Sequence, residues 1–293
     1  MNRVAKWWKS LDGVRVACGL CPRGCVVSDG GVGFCGIRGN EGGRMVSFAY
    51  GRPVALQVDP IEKKPLNEFL PGTRTFSLGT FGCNLDCVFC QNHHLSRGRY
   101  SSSDTASEPP FPPEKIAELA VEKGCGSVAF TYNEPLVWGE YVVDCAAAAR
   151  MRGLKTVLVS NAYVELSAAR DIFPLIDAAN FDVKGFGSFY DGMTGGKLRS
   201  VLDAVEFYHS LGGHLEITNL VVPGRNDGDK EVRALLDWAS SELGLDVPLH
   251  FSAFHPAHRF HFAPPTPKET LFRIRDMALE RGFESVYLGN VVV

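Results

Sequence analysis

From about residue 74 the chain alternates between two patterns. Short apolar, β-branched runs at 75–81, 127–132, 156–160, 179–183, 214–222, 248–254 and 285–288 have strand length. Between them, stretches at 113–123, 136–152, 166–173, 198–211, 230–243 and 268–281 read as helices. The second of these carries Ala146-Ala147-Ala148-Ala149, a strong helix former. Strands alternating with helices of this length predict βαβ units and a parallel sheet. No G-x-G-x-x-G follows the first strand, so the expected class is α/β, a partial or full (β/α) TIM-like barrel and not an open doubly wound sheet. Residues 96–112, rich in Ser, Arg and Pro, lack periodicity and predict a long surface loop.

The segment before the barrel obeys other rules. Residues 11–43 hold ten glycines together with Cys18, Cys21, Cys25 and Cys35. So few apolar side chains cannot hold a fold by burial, and four thiolates on one ion or cluster would supply the clamp. Short strands are expected at 45–50 and 53–58, ending in a turn at Lys63-Lys64-Pro65. The division expected is a small Cys/Gly-rich, metal-binding N-terminal appendage at 1–72 and a barrel at 73–293. Trp7-Trp8 is expected to dock on the barrel.

Composition narrows the function classes. The 293 residues are 45% hydrophobic and 22% charged, with a net charge of −3, which argues against a bulk electrostatic grip on nucleic acid. No apolar run approaches the ~18 residues of a membrane span, and the first residues lack a signal peptide's apolar core, so the expected location is the cytoplasm. Seven of the nine cysteines fall in two tight clusters. In such a compartment clustered thiols read as metal ligands or catalytic groups, not disulfides. Cys125 and Cys145 stand apart and are expected in the core.

Polar residues end nearly every expected strand: Cys83, Asn133-Glu134, Ser160-Asn161, Asp182 and Lys184, Thr218-Asn219 and His255. In (β/α) barrels these ends converge on one mouth, where active sites form. The sharpest motif there is C-x3-C-x2-C, Cys83, Cys87 and Cys90. Three thiolates in eight residues can wrap a compact iron–sulfur cluster while leaving it one protein ligand short. The alternative is structural zinc with His93 or His94 as the fourth ligand. Arg97 and Arg99 read as a solvated loop face.

A C-x3-C-x2-C after strand one, with an aromatic residue, Phe89, before the last cysteine, resembles the radical S-adenosylmethionine (SAM) superfamily. The resemblance implies a [4Fe–4S] cluster on Cys83, Cys87 and Cys90 whose fourth iron is chelated by SAM. Reduction would then give methionine and a 5′-deoxyadenosyl radical that abstracts hydrogen from a substrate. Within that superfamily the chain is similar to pyruvate formate-lyase activating enzymes. Tyr132-Asn133-Glu134-Pro135 stands where that branch has Gly-Gly-Glu-Pro, so both glycines are lost. Ser160-Asn161-Ala162 stands for Thr-Asn-Gly, Asp182-Val183-Lys184 matches Asp-x-Lys, and Phe254-His255 resembles an aromatic–His pair. Phe89, Asn133, Glu134, Ser160, Asn161, Asp182, Lys184 and His255 are thereby implied as SAM-binding residues. No catalytic side chain is singled out.

Cys18-Gly19-Leu20-Cys21-Pro22-Arg23-Gly24-Cys25, Gly33-Phe34-Cys35-Gly36, Asp59-Pro60-Ile61-Glu62-Lys63-Lys64-Pro65-Leu66 and Leu288-Gly289-Asn290-Val291 further resemble the radical SAM enzymes of the AmmeMemoRadiSam system. The N-terminal thiols fit either zinc or a second iron–sulfur cluster. Implied partners are a flavodoxin- or ferredoxin-like reductant and a protein substrate or genomically associated proteins. The expected function is a radical SAM enzyme, oxidoreductase- or activase-like. A glycyl-radical-enzyme activase acting on a partner protein and a non-catalytic zinc-binding scaffold are the alternatives.

Overall fold

The computed structural model describes residues 2–101, 104 and 109–291. The glycine-rich N-terminus forms two small antiparallel sheets. Strands β1 (Arg3–Val4), β5 (Arg38–Glu41) and β6 (Arg44–Ser47) make one, in the order β1-β6-β5. Strands β2 (Trp8–Ser10), β3 (Val16–Cys18) and β4 (Val26–Val27) make the other. Their shared apolar cluster is Ala5, Val16, Val27 and Met45, too small to stabilise the segment alone. The appendage leans on the barrel for support. Trp7 stacks its ring against Gly139, where a Cβ would come within 2.9 Å of it, and its indole Nε1 donates to Asp171 Oδ2 at 2.9 Å.

The main sheet has eight strands in sequence order: β7 (Ala55–Pro60), β8 (Arg74–Gly79), β9 (Ser127–Phe130), β10 (Lys155–Ser160), β11 (Ala178–Asp182), β12 (His214–Val221), β13 (Leu249–Ala253) and β14 (Val286–Gly289). Strands β8 to β14 pair in parallel. β7 runs antiparallel to β8, Ala55 opposite Gly79 and Pro60 opposite Arg74. A division at 72/73 leaves β7 with the appendage; its ladder places it in the large sheet. Among the described residues no ladder joins β7 to β14, so the barrel is partial.

After the short α1 (His93–Ser96), helices α2 (Pro113–Glu122), α3 (Gly139–Met151), α4 (Leu166–Ile172), α5 (Leu198–Ser210), α6 (Asp229–Glu242) and α7 (Lys268–Arg281) cover the sheet. Pro113 opens α2, where a missing N–H costs nothing. Gly282, at φ 103°, closes α7 with its N–H on the carbonyls of Ala278 and Leu279. The alanines of α3 allow close helix–sheet approach, and Cys145 and Cys125 are buried in that core. Residues 102, 103 and 105–108 of the expected 96–112 loop lie outside the described residues.

A plug closes the N-terminal end of the barrel. Ile61 and Leu66 pack on Ala129, Val157 and Ala178 from three strands. Glu216 of β12, with 0% of its surface exposed, ties the plug down. Its carboxylate accepts the N–H groups of Asn67 (3.0 Å) and Glu68 (2.9 Å), and pairs with His214 (2.9 Å) and His250 (2.5 Å). Burial pushes its pKa up, but hydrogen bonds from the two histidines and the two backbone N–H groups outweigh this and hold it at about 2.

At the opposite, C-terminal end two residues take left-handed backbone: Tyr132 after β9 (φ 74°) and Ala162 after β10 (φ 53°). Both stand where the activating-enzyme pattern has glycine. The turns that glycine permits are therefore kept without it. Tyr132 is anchored by its hydroxyl on Asp59 Oδ2 (2.6 Å) and by Lys64, whose Nζ lies 4.6 Å from the ring centre. The Ala162 N–H donates to Ser160 Oγ at 3.0 Å.

Both ends of the barrel give a testable outcome. Glu216→Gln should lower unfolding free energy by about 3 kcal/mol near neutral pH. Because the folded pKa is depressed, that stabilisation is present above the unfolded carboxylate's value and is lost as pH falls toward about 2. Denaturant titrations of parent and variant should converge between roughly pH 4 and pH 2; a pH-independent gap would contradict the assignment. Ala162→Gly relieves about 1 kcal/mol of left-handed strain, so its melting temperature should equal or exceed the parent's. A clear loss of stability would show that the Ala162 methyl itself is required.

Candidate active site

The C-terminal strand ends surround a cavity of about 380 Å³. The loop after β8 brings Cys83, Cys87, Phe89 and Cys90 to it; Asn133 and Glu134 come from the turn after β9. β10 and β11 contribute Ser160, Asn161, Asp182 and Lys184. Ten residues read from sequence as one site are thus drawn together. His255 is not among the lining residues: it is exposed on the rim, 3.2 Å from the carbonyl of Asn290, which does line the cavity. His93 and His94 are also exposed and outside it, His93 stacking on His258 at 4.8 Å. The zinc alternative finds no fourth ligand in them.

Burial pushes the Cys83 thiol well up, helped by the Glu134 carboxylate and by Cys87. It raises Cys87 to about 11, where Lys184 works the other way. A free thiolate is costly here, and a bound iron centre, which takes the thiolate form, offsets that cost. Hydrogen-bond donors await the sulfurs: the Leu85 N–H lies 3.4 Å and Asn161 Nδ2 3.7 Å from Cys83 Sγ, and Ser96 Oγ sits 3.3 Å from Cys90 Sγ. Among the described residues no group of three or more His, Cys, Asp and Glu side chains is arranged as a site for a single metal ion. A cube binds each thiolate on a different iron.

Two residues implied as SAM contacts do other work. Asn133 Nδ2 donates to the carbonyls of Phe81 (3.2 Å) and Gly82 (2.8 Å), and its Oδ1 accepts the Thr80 N–H, so it braces the thiol loop. Glu134 Oε1 accepts from Leu136 N–H and Ser160 Oγ, and Oε2 accepts from Asn161 N–H. Burial raises its pKa to about 7 against those three donors and Lys184. Most of its acceptor capacity joins β9 to β10, and Oε2 keeps the remainder.

Asp182 and Lys184 pair at 2.9 Å within the cavity. Burial disfavours the ammonium, but Asp182 and Cys87 outweigh it and its pKa lies above the ordinary lysine value. Phe89 forms an apolar wall with Phe189, ring centres 5.7 Å apart, backed by Met193 and Phe254. A cation and an anion beside three thiols and an apolar wall match a zwitterion carrying an aromatic base.

Sequence reading missed several members. Arg97, expected as a solvated face, bonds Asp86 Oδ1 (3.1 Å) and the carbonyl of Leu85. Lys63 and Lys64 line the cavity from the plug, Lys64 buried on Asp59 at 2.8 Å. Thr218 Oγ1 is buried at its wall without a hydrogen-bond partner. Thr218 stands among the polar strand ends read from the sequence, and Lys63 and Lys64 lie in the motif from Asp59 to Leu66; Arg97 carries no such signal. Cys18, Cys21, Cys25 and Cys35 line a second, smaller cavity where the appendage meets the barrel.

Comparison with known proteins agrees with this geometry. An uncharacterised protein of Methanocaldococcus jannaschii is 38% identical over 289 residues, 99% of this chain and 85% of that protein. Among solved structures, Streptococcus suis SuiB bound to its precursor peptide SuiA superposes with a TM-score of 0.54 at 15% identity, covering 73% of this chain and 47% of SuiB. This chain therefore spans about half of SuiB's length. TYW1 with a lysine–pyruvate adduct gives 0.53 at 15% identity, covering 78% and 83%. A radical SAM methyltransferase from Sphaerobacter thermophilus gives 0.53 at 14%, covering 76% and 68%. At these identities the structures show a shared fold. The family model of the radical SAM superfamily matches residues 77–239, more than half of the chain and the whole stretch from the thiol loop to α6, and the protein belongs to that superfamily.

Proposed function

We propose that the chain cleaves SAM reductively at the barrel mouth and directs the resulting radical at hydrogen on a substrate admitted there. The observation that carries this reading is the convergence of Cys83, Cys87 and Cys90 with the Asp182–Lys184 pair on one cavity at the barrel mouth. A [4Fe–4S] cluster on the three thiolates supplies the electron and an open iron for SAM. The protein's own contributions are binding, orientation and the exclusion of water. Lys184 meets the SAM carboxylate, while Asp182 and the free lone pair on Glu134 Oε2 attract its ammonium. Asn161 fixes the Cys83 side of the loop, and the Phe89–Phe189 wall keeps the mouth apolar so that a radical is not quenched.

In this reading residues 73–293 with β7 and the plug at 61–72 are the reacting unit, and the segment before β7 is a metal-binding accessory. The reductant is a flavodoxin- or ferredoxin-like protein, since the cluster takes one low-potential electron per cleavage. Among the described residues no helix is long and apolar enough to cross a membrane.

Anaerobically reconstituted protein, reduced in the presence of SAM, should release 5′-deoxyadenosine and methionine. Replacing Cys83, Cys87 and Cys90 together with Ala should abolish both; retained 5′-deoxyadenosine would overturn the assignment. Lys184→Met should keep its iron yet bind SAM about ten- to a hundred-fold more weakly, the effect of losing a charge-assisted contact of about 1.5–3 kcal/mol. Unchanged affinity, read by equilibrium dialysis of labelled SAM, would move the carboxylate elsewhere.

A further inference from the structure

The four N-terminal thiols lie against the loop that carries the other three. Gly82, immediately before Cys83, has left-handed backbone (φ 95°), and a Cβ there would stand 2.5 Å from the carbonyl oxygen of Cys35. Asn84, immediately after Cys83, lines the four-thiol cavity, and its carbonyl accepts Arg23 Nε at 2.7 Å. Phe34, one residue before Cys35, lies under the guanidinium of Arg23 (3.6 Å) and near that of Arg97 (5.6 Å), which itself holds the Leu85 carbonyl. Cys83 is thus flanked on both sides by residues touching the appendage. Support of the fold alone would not require contact at that point.

The chemistry of the second cavity also favours one occupant. Arg38, 1% exposed, sends Nη1 to both oxygens of Glu140 (2.9 and 2.8 Å) and Nη2 to the carbonyl of Lys6 (2.7 Å). Its Nε has no partner, and neither does Arg23 Nη2, although both atoms are buried and both residues line the cavity with the four cysteines. A buried N–H left unmade costs about 1–3 kcal/mol, so two at one site point to absent acceptors. Zinc would take all four sulfurs at ~2.3 Å and bring no further acceptor for these N–H groups. An iron–sulfur cube spreads its four thiolates over four irons and adds sulfide acceptors for the guanidinium N–H groups.

We propose that Cys18, Cys21, Cys25 and Cys35 hold a second iron–sulfur cluster that passes the electron for SAM cleavage to the Cys83 loop. The proposal rests on the reading that Cys83, Cys87 and Cys90 bind the first cluster. A one-electron donor of the ferredoxin or flavodoxin class reduces the N-terminal cluster from the 2+ to the 1+ state. That cluster returns to 2+ as the first cluster goes from 2+ to 1+, and the same electron then breaks the sulfonium–C5′ bond of SAM. One electron enters and one is consumed, with no proton transferred. The Gly82–Cys35 contact and the Arg23–Asn84 hydrogen bond supply the short path. Zinc, with one accessible oxidation state, cannot serve here.

The test uses the full chain, reconstituted anaerobically. The expected metal content is about eight irons and no zinc, with the two reduced clusters broadening each other's paramagnetic resonance and SAM altering only one. About four irons with one zinc, and a single SAM-sensitive signal, would overturn the relay while leaving the proposed function standing. No iron would overturn both. Cys18→Ser with Cys21→Ser should slow reduction of the first cluster by a ferredoxin-type protein roughly tenfold or more, while a small photoreductant still reduces it. Should that variant fail to fold, Arg23→Met keeps all seven cysteines. It should shift the midpoint potential of the SAM-insensitive signal and leave the SAM-sensitive one in place. Equal protein-driven reduction rates with and without the N-terminal thiols would contradict the relay.

Discussion

A nine-residue loop, 82–90, must present three thiols to the barrel mouth, and it has no regular secondary structure to hold it there. Its order is imposed from outside, by backbone groups paired with distant elements. Asn133 takes the Phe81 and Gly82 carbonyls, Arg97 that of Leu85, Arg259 that of Asp86 and Arg23 that of Asn84. The N–H groups of Asp86 and Val88 donate to the carbonyls of Thr194 and Met193 in the wound turn after β11. Five separate parts of the chain therefore converge on one loop. A thiol cluster with an open iron needs this rigidity, since a loop free to move would supply a fourth ligand or lose one.

The same constraint explains where the sequence was legible. Strands and helices of the barrel came out within a few residues, because their periodicity reflects burial on a sheet, which is local. The thiol spacing and the polar strand ends located the mouth for the same reason: in parallel strands every C-terminus faces one way. The bracing was not legible. Asn133 and Glu134 look in sequence like ligands for SAM, yet their side chains are largely spent on the Gly82 carbonyl and on Ser160 and Asn161. Arg97 looks like a loop charge and holds the loop instead. Hydrogen bonds between residues many positions apart leave no periodic trace. His255 lies on the rim two residues past the end of β13, whereas Lys184, equally far past β11, lines the mouth, so distance from a strand end does not by itself tell the two apart.

Tyr132 and Ala162 show how a backbone outlasts its sequence signature. Glycine is the usual occupant of left-handed turns, but Tyr132 is held there by Asp59 and Lys64 of the plug and its strand. The plug thus links the floor of the barrel, through Glu216, to the turn above which SAM binding is proposed. The appendage is tied in at a different point, by the buried Arg38–Glu140 pair (2.8 Å) on α3 and by Phe34 between two arginines. Its own core is small, so its order depends on these contacts.

The most direct measurement is electron–nuclear double resonance on the reduced protein with SAM labelled by nitrogen-15 at the methionyl amino group. If the braced loop leaves one iron of the cluster open to SAM, the label should show a hyperfine coupling to the cluster, and that coupling should disappear when Cys83, Cys87 and Cys90 are replaced. SAM bound with no coupling to a reduced cluster would contradict the central claim that this loop exists to hold an open iron at the mouth.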